Sequence, residues 1–293
     1  MRGFEIPNVN EDTSRLSRVQ EDVTERIQSI LDSFKSLVEE QKRMNPEMNG
    51  EIDNVGRLLL LKGERDLRYW MRKRKDTGET FLKEFSISAD FFRRKFFELL
   101  ELLKDIPKEG SVLDLACGTG DVAILLAMRG QKSFGVEIDP GQVRMGRFYA
   151  KQLGIEIDIR QGNIINGDLP QADHWVAKHP CAKNMALPDA IISRWSKEAS
   201  AHKLVCMTCC QGKAQDSFPS YEGMSAEQWK GLCKQSDWTN NKDPEKQRLG
   251  HEAMDAIDEK RISFLSGLDL QATLKKVENT IKGNVIIAEK ASA

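Results

Sequence analysis

The chain has 293 residues, 40% hydrophobic and 30% charged, with 44 Lys and Arg against 45 Asp and Glu for a formal net charge of −1. That length can bury a core without disulfide or metal staples, and the composition excludes a disordered chain, a histone-like polycation and an acidic-tail protein. No apolar run of about 18 residues predicts a membrane span, and the opening stretch has no apolar signal core. The cysteines (Cys117, Cys181, Cys206, Cys209, Cys210 and Cys233) read as reduced thiols of a cytoplasmic protein, and no metal is expected on them.

Apolar residues recur over 12–44 at Leu16, Val19, Val23, Ile27, Ile30, Phe34 and Leu37, one face of a helix. Arg26, Ser33 and Glu40 fall on its heptad seam, so it reads as an amphipathic helix docked on a core and not as a free coiled coil. Asn45-Pro46 and Asn49-Gly50 break the pattern. A second helix is expected over 51–74 and a third over 88–103, which makes 1–95 an N-terminal helical region and 96–293 a separate domain. From Ser111 the texture changes. Strands are expected over 111–117, 133–138, 155–159, 174–177, 203–208 and 284–288. Helices are expected over 122–128, 142–153 and 189–196. Short apolar strands alternating with helices predict an α/β doubly wound, Rossmann-like sheet.

The most informative segment is Val112-Leu113-Asp114-Leu115-Ala116-Cys117-Gly118-Thr119-Gly120. A strand feeding a Gly-rich turn and then a helix lets backbone approach a nucleotide closely and offers it free N–H groups. The spacing is not G-x-G-x-x-G, which disfavours a pyrophosphate cradle. The next strand ends in Gly135-Val136-Glu137-Ile138-Asp139-Pro140, and an acid there can accept both hydroxyls of a ribose. D-x-x-C-G-T-G followed by G-V-E-I-D-P resembles the class I S-adenosylmethionine-dependent methyltransferases. The resemblance implies a seven-stranded sheet. It places Asp114, Ala116, Gly118 and Gly120 along the amino-acid end of S-adenosyl-L-methionine and Glu137 on its ribose. Asn163 would stand near the adenine, where the family usually has an acid.

Reacting groups in such sheets gather beyond the carboxyl ends of the strands. Strand four runs into Lys178-His179-Pro180-Cys181-Ala182 and strand five into Thr208-Cys209-Cys210-Gln211; Arg248, His251, Asp258 and Arg261 follow. In this order the blocks resemble the eukaryotic tRNA ribose 2′-O-methyltransferases of the acceptor stem, with K-H-L-C-G, C-C-H and I-D-x-x-R stretches. Pro180, Ala182 and Gln211 depart from that pattern. The resemblance implies methyl transfer to a tRNA-like ribose hydroxyl, with RNA as partner. A hydroxyl is a weak nucleophile that gains from a base, so His179 and Lys178 are the catalytic candidates; a charged Lys178 would instead neutralise a phosphate.

Arg65, Arg68, Arg72, Lys73, Arg74 and Lys75, interleaved with Tyr69 and Trp70, suit phosphates and unpaired bases. Arg68, Arg72, Arg74, Cys210 and Arg248 are therefore the substrate-side candidates. Asp258 with Arg261 reads as a structural salt bridge, and 211–247 as a substrate-side insertion. Two other readings stand beside the RNA enzyme: a small-molecule methyltransferase with the N-terminal helices as a lid, and a non-catalytic cofactor-binding protein. The oligomeric state is left open.

Overall fold

The computed structural model describes residues 9–73, 78–181, 187–198, 200–209, 211–278, 280 and 283–291, and their side chains except those of 9–24, 26–27, 66–73, 78–89, 91–92 and 213. Arg74, Ala182 and Cys210 lie outside the described residues, as do the side chains of Arg68 and Arg72. The chain divides into two units, Met1–Phe96 and Phe97–Ala293.

The first unit is helical. Helix α1 (Val9–Met44) ends at Asn45-Pro46, and a single 3-10 turn leads into α2 (Asn49–Lys73). Phe34 and Val38 of α1 are buried, as are Ile52, Val55, Leu58 and Leu59 of α2. A Cβ on Gly56 would lie 3.1 Å from Val38 Cγ2, so the missing side chain lets the two helices close together. Helix α3 (Gly78–Asp105) starts earlier than its expected 88, because no Gly or Pro interrupts the chain between Gly78 and Ser88. Its Phe96 meets Phe34 edge-on, with ring centroids 5.5 Å apart.

The second unit is a seven-stranded sheet of order β3-β2-β1-β4-β5-β7-β6. Its strands are β1 (Val112–Leu115), β2 (Ser133–Glu137), β3 (Asp158–Gln161), β4 (His174–Lys178), β5 (Lys203–Met207), β6 (Gln271–Lys276) and β7 (Asn284–Glu289). β1 to β5 are mutually parallel, and β7 lies antiparallel between β5 and β6. Flanking helices are α4 (Asp121–Met128), α5 (Pro140–Leu153), α6 (Leu187–Lys197), α7 (Ala226–Ser236) and α8 (Pro244–Ser266). Leu113, Trp175, Leu204 and Ile286 of the sheet share one buried cluster with Ile191, Ile192 and Trp195 of α6. This is the α/β architecture that the strand–helix alternation predicts.

Three details differ from the sequence reading. The third strand begins at Asp158 instead of 155, because Gly154 takes a left-handed C-cap and Ile155 N still bonds to Ala150 O, 2.9 Å away. β6 has no counterpart among the expected strands. Segment 211–247 carries α7 and a small core of its own, in which Ala214, Tyr221, Trp229 and Cys233 are buried with Ile257. Among the described residues no helix is long and apolar enough to cross a membrane.

Candidate functional site

β1 lies between β2 and β4, with Asp114 opposite Gly135 on one side and Val176 on the other. The sheet order reverses between β1 and β4, where open α/β sheets leave a crevice at their carboxyl ends. Past Leu115 the chain bends through left-handed backbone at Ala116 (φ 52), Gly118 (φ 56) and Gly120 (φ 71). The left-handed backbone at Gly120 favours glycine, and a Cβ there would also push against Ile159 Cδ1 at 2.6 Å. A Cβ on Gly118 would meet nothing within 4 Å, so open space adjoins that turn.

Two carboxylates hold this bend. Asp114 is buried, and its Oδ2 accepts from Ala123 N in the first turn of α4 at 3.1 Å. Glu137, at the end of β2, accepts from Gly118 N through Oε2 and from Ile138 N and Asp139 N through Oε1, at 2.9, 2.9 and 3.0 Å. A carboxylate has roughly four lone-pair sites, so Glu137 retains capacity for a further donor. Asp139 caps α5 by accepting from Gly141 N and Gln142 N, which accounts for the Asp-Pro step after Glu137. Gly162 N donates to Glu137 O at 2.9 Å, which ties the following turn to the same edge. Asn163 Oδ1 accepts from Ile165 N at 2.9 Å and thereby fastens that turn.

The electrostatics of the bend are acidic. Burial pushes the Asp114 carboxyl well above its usual range; the Ala123 N–H opposes that shift, while the charges of Asp121 and Glu137 add to it. Burial and the same acids push the Cys117 thiol up. Of the candidate cofactor residues, Asp114, Ala116, Gly118, Gly120 and Glu137 thus share one bend, and Asn163 lies in the turn after β3.

The end of β4 carries a second cluster. Glu98 of α3 accepts through Oε2 from both Lys178 Nζ (2.7 Å) and His179 Nε2 (3.1 Å), and through Oε1 from Thr280 Oγ1 (2.8 Å). Burial would raise the Glu98 carboxyl, yet the His179 hydrogen bond and the Lys178 charge hold it well below the usual carboxylate range. Lys178 also lies within electrostatic reach of Asp114, which links this cluster to the glycine bend. His179 sits in left-handed backbone at φ 51, with its N bonded to Met207 O at 2.8 Å. Just beyond, Cys181 Sγ and Cys209 Sγ are 2.8 Å apart; Cys181 is exposed and Cys209 buried. Among the described residues no group of His, Cys, Asp and Glu forms a metal cage.

The remaining candidates lie elsewhere. Arg248, exposed on α8, pairs with Glu245 and Glu252 of its own helix. Arg68 and Arg72 lie on α2. Asp258 and Arg261 are fully buried, and Arg261 bridges Asp258 (Nη1–Oδ1 2.7 Å) and Asp189 (Nη2–Oδ2 2.6 Å). Asp258 Oδ2 accepts from Thr208 Oγ1 and Asn284 Nδ2, both at 2.8 Å, and Tyr221 donates to Asp189. The pair therefore belongs to a buried network that fixes the start of the loop after β5. Sequence reasoning missed Glu98, Thr280 and Asp189, whose partners are remote in the chain.

Residues 106–259, more than half of the chain, match the family model described as methyltransferase domain. The chain belongs to that family, whose methyl donor is S-adenosylmethionine. An uncharacterized RNA methyltransferase of Clostridium acetobutylicum is 28% identical over 120 residues, covering 37% of this chain and 25% of that protein. A 23S rRNA (uracil(1939)-C(5))-methyltransferase of Shewanella woodyi is 27% identical over 173 residues, covering 57% and 38%. The chain thus spans about a quarter to two-fifths of the length of these curated relatives. Among solved structures, a protein of Pyrococcus horikoshii OT3 superposes with a TM-score of 0.45 at 17% identity, covering 68% of this chain and 90% of that one.

The residues at the bend fit this cofactor. S-adenosylmethionine carries a sulfonium and an ammonium, and the charges of Asp121 and Glu137 beside Asp114 favour a cationic ligand. Gly118 leaves space against the backbone, and Glu137 can still accept from a ribose hydroxyl.

Proposed function

We propose that the protein methylates RNA, at a ribose 2′-hydroxyl of a tRNA-like substrate in the cytoplasm. The observation that carries the oxygen acceptor is the imidazole of His179 at the carboxyl end of β4, the strand beside the glycine bend of β1. When bound, S-adenosylmethionine supplies an electrophilic methyl group. A hydroxyl becomes a competent nucleophile only as its proton leaves, and His179 is the group placed to take it. Lys178 is engaged with Glu98, so it supplies charge at the acceptor edge in place of a lone pair. Asp114 fixes the first turn of α4, Ala116, Gly118 and Gly120 shape the cofactor surface, and Glu137 and Asn163 face its nucleoside half.

RNA as the acceptor draws support from the names of the curated relatives, which are RNA methyltransferases. It also draws support from the basic run of Arg68, Arg72 and Arg74, whose charges suit phosphates. Cys210 would wall the acceptor pocket. Arg248, already matched by Glu245 and Glu252, would contribute at most an outer contact.

A second reading rests on the exposed thiol of Cys181 beside His179 and on the uracil-C5 activity named for the Shewanella relative. Carbon methylation of a pyrimidine needs a thiol nucleophile, which Cys181 could be. One experiment separates the two. The protein is incubated with methyl-labelled cofactor and total RNA, and the RNA is digested to nucleosides. Label in 2′-O-methylated nucleosides that survives Cys181→Ser supports ribose methylation. Label in a methylated base that Cys181→Ser abolishes supports the carbon reaction. Label confined to an RNA-free metabolite extract defeats both.

A further inference from the structure

Strands β4 and β5 run parallel with Lys178 opposite Met207, so the loops that follow them leave the sheet side by side. Cys181 stands just past the end of β4 and Cys209 just past the end of β5, and their sulfurs are 2.8 Å apart. A disulfide bond is about 2.05 Å long, so the pair needs only a short further approach to join. Both loops are fastened to the sheet immediately before these cysteines. On one side His179 N donates to Met207 O at 2.8 Å, and Pro180 is buried with its φ fixed by the ring. On the other, Thr208 N donates to Asn284 O at 2.9 Å and Thr208 Oγ1 to Asp258 Oδ2 at 2.8 Å. The fold itself therefore brings together two thiols that are 28 residues apart in the chain.

The two thiols differ in access. Cys181 is exposed and Cys209 buried, so a small oxidant in solution meets the first and finds the second already against it. The other described cysteines compete poorly. Burial pushes the thiols of Cys117, Cys206 and Cys233 up, which leaves little thiolate to react.

We propose that Cys181 and Cys209 are an oxidative modification site, a dithiol that a hydroperoxide closes into a reversible disulfide joining the loops after β4 and β5. The Cys181 thiolate attacks one peroxide oxygen, and the O–O bond breaks. Its sulfur is oxidised to the sulfenic acid, and the departing hydroxide takes up a proton as water. The sulfur of Cys209 then displaces hydroxide from that sulfenic acid. The S–O bond breaks, the S–S bond forms, and the Cys209 proton leaves with the hydroxide as a second water. Two thiols thus give up two electrons and two protons to one peroxide. The link pins the chain just beyond Lys178 and His179 and so closes the acceptor edge while sparing the glycine bend. That closure rests on the acceptor being met beyond β4; the disulfide itself does not.

The full-length protein is treated with hydrogen peroxide and then denatured for thiol counting and intact mass. Wild type should lose two of its six thiols and two hydrogens, and dithiothreitol should restore both. Cys209→Ala should prevent the disulfide, and Cys181→Ser gives the same readout if that variant fails to fold. Cys210→Ser should leave it intact. In parallel, oxidised wild type should transfer labelled methyl to total RNA about tenfold more slowly or worse, with cofactor affinity unchanged by calorimetry. Dithiothreitol should reverse the loss, and Cys209→Ala should not show it. Loss of a single thiol with gain of oxygen overturns the site, as does a disulfide that Cys210→Ser abolishes and Cys209→Ala spares. A disulfide that leaves methyl transfer unchanged overturns the closure. If the reduced protein methylates no RNA, the proposed function fails, while the thiol count and mass still decide the dithiol.

Discussion

At the scale of single residues, the two acids of the glycine bend have opposite consequences for stability and binding. Glu137 accepts three backbone N–H bonds around the bend, so Glu137→Ala should loosen Gly118 and remove the ribose acceptor together. A loss of about 10–100-fold in cofactor affinity is expected by calorimetry, the size of one or two charge-assisted bonds. Asp114 behaves differently because burial and its acidic neighbours raise its folded carboxyl above the ordinary value of 3.8. A group that binds its proton more tightly when folded favours the fold at low pH and loses that contribution as pH rises through the raised value. Asp114→Asn should therefore raise the Tm of the cofactor-free protein at neutral pH, with the advantage over wild type shrinking on acidification, while cofactor affinity falls. Glu98 runs the other way. Its carboxyl is held below the ordinary 4.5, so its stabilisation is present above that pH and lost as pH falls below it. Acid titration of Tm should show a shallower decline in Glu98→Gln than in wild type.

The bend was legible in the sequence because its demands are local: left-handed turns ask for glycine, and the Asp-Pro step after Glu137 asks for a helix cap. Glu98 was not, because nothing near it marks a carboxylate whose partners lie on β4 and in the β6–β7 turn.

Among elements, the buried network behind β5 carries the clearest energetic prediction. Arg261 joins α8 to Asp189 of α6, and Asp258 reaches Thr208 past β5 and Asn284 of β7. Burial pushes the Asp258 carboxyl up, and the Arg261 charge with the Asn284 and Thr208 bonds works against that. Removing the guanidinium strands two buried carboxylates, so Arg261→Met should cost about 3–5 kcal/mol in urea unfolding, whereas Arg248→Ala, at an exposed pair, should leave the urea midpoint nearly unchanged. The salt-bridge reading of Asp258 and Arg261 follows from their three-residue helical spacing, but Asp189 gave no hint of joining them. β6 was missed for a related reason. Gln271-Ala272-Thr273-Leu274-Lys275-Lys276 is a half-polar edge strand whose identity comes from pairing along β7. The segment 211–247, read as an insertion, also builds an aromatic core in which Trp229 Nε1 donates to Ala214 O at 2.9 Å.

For the whole molecule, the near-zero net charge makes any RNA contact a local affair. If the basic run on and after α2 carries it, replacing Arg68, Arg72 and Arg74 by Ala should weaken RNA binding without sequence preference. The log–log salt slope should then flatten by about two, and cofactor affinity should not change. A slope that does not respond would move the RNA face elsewhere. The sheet, its strand order and the family were readable from alternation and two motifs, since a parallel sheet repeats its signal at every strand.

Helix α3 passes without interruption through the division at Phe96 and Phe97, with Glu98 just beyond it. A fragment trimmed to begin at that division would keep every signature motif of the catalytic fold and still leave this carboxylate on a fraying first turn. Such a shortened chain should retain its grip on the cofactor and lose the acid dependence of Tm that Glu98 sets, a defect that no inspection of motifs would foresee.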